Sequence, residues 1–169
     1  MSARWPNKAP RRYPRRVAAC GHERRRLPRP NSPTMIRIRE IDHLVLRVAD
    51  LEKMLHFYCE ALDCHIERRM DAIGLVQLRA GRSLIDLVPT DGELGRAGGA
   101  AAGREGRNLD HFCLRVDPFD EAAIRTHLAT CGYAAGTVEQ RYGAEGVGPS
   151  IYVTDPEGNV VELKGPPGG

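Results

Sequence analysis

The sequence predicts an α+β fold made from two copies of one unit, each reading strand, helix, strand, strand. Three observations carry this. The run Ile41-Asp-His-Leu-Val-Leu-Arg-Val48 returns 68 residues later as Leu109-Asp-His-Phe-Cys-Leu-Arg-Val116, with Asp, His, Leu, Arg and Val recurring in place. A segment of helical periodicity follows each run. Each copy then closes on an apolar strand holding one carboxylate, Leu84-Ile-Asp-Leu87 and Val160-Val-Glu-Leu163. An echo in the same order at three successive elements marks an internal repeat.

The elements follow in order. Ile41–Val48 has the composition of a buried strand. Asp50 can cap a helix over LEKMLHFYCEALDC, where Leu51, Met54, Leu55, Tyr58, Ala61 and Leu62 keep the 3-and-4 spacing of one buried face. A further strand is expected near 65–70. IGLVQLRA (73–80) and SLIDLV (83–88) read as strands around an Ala-Gly-Arg turn. In the second copy the helix is FDEAAIRTHLATCG, with Asp117 or Asp120 as cap and Gly132 as the stop. SIYVT (150–154) and NVVEL (159–163) are strands around an Asp-Pro-Glu-Gly turn. The copies span about 36–88 and 109–166 of a folded domain at 35–169. Between them, residues 89–108 hold six glycines and no periodicity. That stretch reads as a linker or as a flap over a site.

Composition narrows the function classes. With 169 residues, 41% hydrophobic and 28% charged, the chain can fill a core. It has no 18-residue apolar stretch and no secretory start, so a transmembrane helix is excluded and no membrane partner is expected. Five cysteines without a C-x-x-C pair point to reduced thiols in a cytoplasmic protein, not to a disulfide or structural zinc framework. The net charge of +3 hides an uneven split. Residues 1–34 hold 10 of the 25 Lys and Arg, one of the 22 Asp and Glu, and six of the 12 prolines. They read as a disordered, solvated basic extension. An arm for nucleic acid or an anionic surface is one alternative and an Arg-rich transit peptide another, though the prolines spoil an amphipathic helix. Nucleic acid is not an expected partner, and Cys20-Gly-His22 is too short for a metal site. Met35 stands directly before the first patterned segment.

The repeat puts His43 and His111 in equivalent positions. A side-chain period of two sets His43, Val45 and Arg47 on one face, and His111, Cys113 and Arg115 on the matching one. A single His in an apolar strand is ordinarily a satisfied core residue. Two at repeat-related positions, each with a carboxylate (Asp86, Glu162) on a buried strand, point to a ligand, because a buried unpaired carboxylate is costly. Imidazole and carboxylate together suit a divalent ion such as Zn, Ni, Co, Mn or Fe(II). If the halves pack face to face, the four groups can converge. His56, His65 and His127 read as surface residues. Cys59 and Cys131 read as packing residues with no neighbouring base, and Tyr152 as a core residue or a substrate contact.

Residues 36–166 resemble the vicinal oxygen chelate superfamily, which includes glyoxalase I, extradiol dioxygenases, fosfomycin-resistance transferases and bleomycin-binding proteins. IDHLVLRVADLEKMLHFYCEAL is similar to its opening strand and helix, and YVTDPEGNVVEL to its closing hairpin. The resemblance implies two paired β-α-β-β-β modules forming a cupped mixed sheet with helices outside, around one divalent metal ion and without an organic cofactor. By position the metal ligands would be His43, His111 and Glu162, with Asp86 where some members place a fourth. Arg47 falls where glyoxalase I uses an arginine for the glutathione moiety, so it would bind substrate. Asp63 departs from the Gly that usually ends the first helix, but Asp tolerates a left-handed backbone. The implied activity is a lyase or isomerase of the lactoylglutathione lyase type. It would act on a small substrate that chelates the metal through oxygens, with Glu162 as the catalytic proton carrier, in a homodimer. The alternatives are an extradiol-type dioxygenase, or a fosfomycin- or bleomycin-resistance-type transferase or drug-binding protein.

Overall fold

The computed structural model describes residues 36–103 and 105–168; the basic head, with Cys20-Gly-His22, lies outside the described residues. The first half runs β1 (His43–Val48), α1 (Leu51–Leu55), a π-helical turn (His56–Ala61), β2 (His65–Met70), β3 (Leu75–Ala80) and β4 (Ser83–Pro89). After a short helix, α2 (Glu93–Ala97), the second half runs β5 (Phe112–Arg115), α3 (Glu121–Thr130), β6 (Glu139–Gly143), β7 (Gly146–Thr154) and β8 (Val160–Lys164).

Each half is a four-stranded mixed sheet, in the orders β1-β4-β3-β2 and β5-β8-β7-β6. The two strands of each half that carry the histidine and the carboxylate run parallel as immediate neighbours. Strand alternation sorts the faces. Leu46, Val48, Ile85 and Leu87 enter the core with Val161 and Leu163, while Asp86 and Glu162 take the opposite face.

Local chemistry fixes the helices. Asp50 Oδ1 accepts from the Lys53 amide at 3.1 Å and Asp120 Oδ1 from the Ala123 amide at 3.0 Å, satisfying N–H groups that a helix start leaves unpaired. Asp120, not Asp117, is therefore the cap. The first helix does not keep its α pitch. It widens into the π turn, where Phe57 and Tyr58 are both fully buried, their rings edge-on at 5.0 Å. Phe57 is absent from the regular apolar face that spacing predicts. Beyond the turn Asp63 takes a left-handed backbone, φ 55°.

The halves are joined through the first helical segment, the end of β1 and the β7–β8 turn. The Tyr58 hydroxyl donates to Asp155 Oδ2 at 3.0 Å, and the Phe57 and Tyr133 rings meet edge-on at 4.8 Å. Glu157 Oε1 accepts from the Ala49 and Asp50 amides at 2.6 and 2.8 Å. Strands β1 and β5 each pair on one side only, so both are sheet edges. Within the connection 89–108, α2 folds back against Pro89. A Cβ at Gly95 would lie 1.9 Å from the Pro89 carbonyl oxygen, so glycine alone fits there. Among the described residues no helix is long and apolar enough to cross a membrane.

Candidate metal centre

The second half brings its histidine and carboxylate into contact. His111 precedes β5, and its Nε2 lies 3.2 Å from Glu162 Oε2 on the neighbouring strand β8. Its Nδ1 lies 2.9 Å from Asp110 Oδ2, the arrangement by which a carboxylate orients an imidazole. Glu162 is 6% exposed, and its Oε1 has no hydrogen-bond partner. A buried carboxylate oxygen left bare is costly.

Cross-strand register surrounds Glu162 with Cys113 on β5 and Tyr152 on β7. The Cys113 thiol is pushed up to about 11, first by burial and then by the Glu162 charge. The Tyr152 ring stands edge-on to His111 at 5.6 Å. Burial raises its phenol above the ordinary value, and the Glu162 charge adds to this. A hydrogen bond from Arg141 opposes the shift. Arg141 also pairs with Glu139, and Arg115 with Glu145. Lys164, buried on the same strand as Glu162, donates to the carbonyls of Gly148 and Arg141.

The first half repeats the positions but not the contact. Val45 of β1 pairs with Asp86 of β4, so His43 and Asp86 share a face. The His43 Nδ1 lies 2.8 Å from Asp42 Oδ1; this bond raises the imidazole above its ordinary value, and the Asp86 charge adds to the rise. Asp86 is buried, and both its oxygens accept from the Gln77 amide, at 3.2 and 3.0 Å. Among the described residues no three His, Cys, Asp or Glu side chains come together as a group able to hold a metal ion. Within one chain, then, the expected ligands stand as two pairs. The donor types still fit a divalent ion: imidazoles oriented through Nδ1 and a buried carboxylate with a bare oxygen.

Arg47, on the His43 face of β1, donates to the carbonyls of Gly95, Gly98, Gly99 and Ala100. His56 meets the Tyr133 hydroxyl at 3.1 Å, and His127 the Glu60 carbonyl at 3.0 Å, both away from the two pairs. Gln77 and Arg141 were not singled out from sequence. Their signal is cross-strand register, which a polar residue in a strand does not announce.

The sequence model of the Glyoxalase/Bleomycin resistance protein/Dioxygenase superfamily matches residues 40–163. No curated protein matches the chain. Among solved structures, an integron cassette protein from V. cholerae is 26% identical, with TM-score 0.63 over 78% of this chain and 98% of its own. A virulence protein from Salmonella typhimurium is 25% identical, with TM-score 0.60 over 78% and 100%. A lactoylglutathione lyase from Agrobacterium tumefaciens is 22% identical, with TM-score 0.53 over 75% and 92%, a likeness of fold.

Proposed function

The chain belongs to the glyoxalase/bleomycin resistance protein/dioxygenase superfamily, and on that premise we propose that it is a metal-dependent enzyme of lyase or isomerase type. Its substrate would be a small molecule that chelates one divalent ion through oxygen atoms. The observation that carries this reading is Glu162, a buried carboxylate with one oxygen on His111 and the other without a partner. His43, His111 and Glu162 would hold the ion (Zn, Ni, Co, Mn or Fe(II)), with Asp86 as a fourth ligand. Bound there, the ion supplies Lewis acidity to adjacent substrate oxygens. Glu162 acts through Oε1, taking a proton from the carbon beside a carbonyl and returning it to the neighbouring carbon. Tyr152 and Cys113 flank that carboxylate on the neighbouring strands. A cytoplasmic setting suits the four free cysteines of the described residues.

The two pairs come together when β1 of one copy lies against β5 of a second. Both strands are unpaired on their outer sides, and Val45 and Leu109 are 48% and 40% exposed. The site is then shared by a homodimer. A second reading, extradiol-type dioxygenase or thiol-transfer chemistry, is favoured by the Gln77 amide on Asp86, which leaves a three-ligand set with more open positions.

The test begins with metal analysis of purified protein and of His43→Ala, His111→Ala and Glu162→Ala, each expected to stay folded and lose most of its metal. Full stoichiometry in all three would make these core residues. Mixing His43→Ala with Glu162→Ala should restore part of the metal content if the site is shared. A panel of glutathione hemithioacetals, with catechols under oxygen-uptake measurement, separates the two chemistries.

A further inference from the structure

The connection between the halves is fastened to the face that carries His43 and Asp86. Arg47 shares that face, one residue pair (about 7 Å) along β1 from the Val45–Asp86 pair. Its Nη1 donates to the Gly98 and Ala100 carbonyls at 2.9 and 3.1 Å, and its Nη2 to those of Gly95 and Gly99 at 2.9 and 2.5 Å. The Gly98, Gly99 and Ala100 carbonyls follow the end of α2, where a helix leaves acceptors without partners, and the Gly95 carbonyl in its last turn also accepts from the Gly98 amide at 3.1 Å. The fit is close: a Cβ at Gly98 would stand 2.6 Å from the guanidinium carbon. One side chain thus supplies four bonds to six residues of backbone, while the Arg47 Nε stays buried without a partner.

We infer that Arg47 is a latch, which pins residues 93–100 as a strap walling one end of the candidate site. The strap opens when the guanidinium lets go. Arg47 is then a positioning residue for this wall, and its side chain serves the strap in place of a substrate anion. Only a planar fork of five N–H donors reaches four separate carbonyls; the three donors of a lysine, on a single nitrogen, do not. The inference goes beyond the proposed chemistry and holds whether or not the protein binds a metal.

Hydrogen exchange on the full chain in EDTA tests it apart from that chemistry. In Arg47→Lys and Arg47→Ala the amides of 93–100 should exchange at least about tenfold faster, with β3 and β4 unchanged. Trypsin should then cut sooner at Arg96. Gly98→Ala keeps the arginine but displaces the strap, and should give the same local loss. In the wild type, inorganic phosphate or methylphosphonate should leave strap exchange unaltered. Equal strap protection in Arg47→Ala, full retention in Arg47→Lys, loss spread evenly over β3 and β4, or loosening by either anion would each overturn the assignment.

Discussion

The two halves place the same groups at the same points and use them differently. In the second half the carboxylate reaches the histidine and keeps one oxygen bare. In the first, Asp86 has one fewer side-chain carbon and faces Gln77 across β3, whose amide covers both of its oxygens. The residue opposite Glu162 on β7 is Tyr152, which cannot donate two bonds to a carboxylate. The comparison teaches that a repeat transmits backbone position, whereas reach and satisfaction depend on side-chain length and the cross-strand neighbour. The second half is a half-site already assembled. The first holds its carboxylate in reserve.

The strongest way to break this asymmetry is to measure what each carboxylate gives to metal affinity. Glu162→Gln should weaken binding by about a hundredfold or more, and Asp86→Asn by about tenfold or less. Competition against a chelator reads both. Equal losses would erase the difference between the halves.

Next in size is the Gln77 amide. Gln77→Leu leaves Asp86 buried without donors, which should cost about 1–3 kcal/mol in urea unfolding. Its counterpart, Tyr152→Phe, should cost less, since Glu162 keeps His111 whether or not that hydroxyl is present. A stable Gln77→Leu would show that water serves Asp86 equally well.

Much of this was legible in the sequence. β-rich runs between turn residues marked most of the strands, the repeat paired His43 with His111 and Asp86 with Glu162, and the Asp50 cap was readable, while Asp117 and Asp120 stood as alternatives for the second helix until its hydrogen bond chose Asp120. Other features were hidden for physical reasons. β6 (Glu139–Gly143) is polar and mostly exposed, so it has no apolar period of its own and came only through the family resemblance. The π turn keeps an α-like composition. Helix α2 holds because Gly95 can approach Pro89, a close contact that a Gly-rich stretch does not advertise. The partners of Asp86 and Glu162 depend on register, and the Tyr58–Asp155 bond that joins the halves spans 97 residues of sequence.

The caps give a smaller test of equivalence. Asp50→Ala and Asp120→Ala should each cost about 1 kcal/mol, because each removes one side-chain bond to an N-terminal helix amide. Asp50 has the larger loss to show if its ion pair with Lys53 at 2.6 Å adds to the cap, though exposed pairs of this kind contribute little. Costs differing by more than about 1 kcal/mol would mean that the two helices are not held in the same way.

The smallest effect concerns Cys113, which stands where the first half has Val45. Its thiol is raised from 9.0 to about 11, by burial first and by the facing Glu162 second. The thiolate is the reactive form, so at pH 8 an upward shift of this size makes iodoacetamide labelling about a hundredfold slower than for an ordinary thiol. The rate should climb with pH until the solution approaches the raised value. Glu162→Gln removes the charge but leaves the burial, so labelling of metal-free protein should accelerate by less than about tenfold. A return to the ordinary rate would make charge, not burial, the main cause. No change at all would mean that Cys113 does not sense Glu162, and the shared face that assembles the second half-site would lose its support.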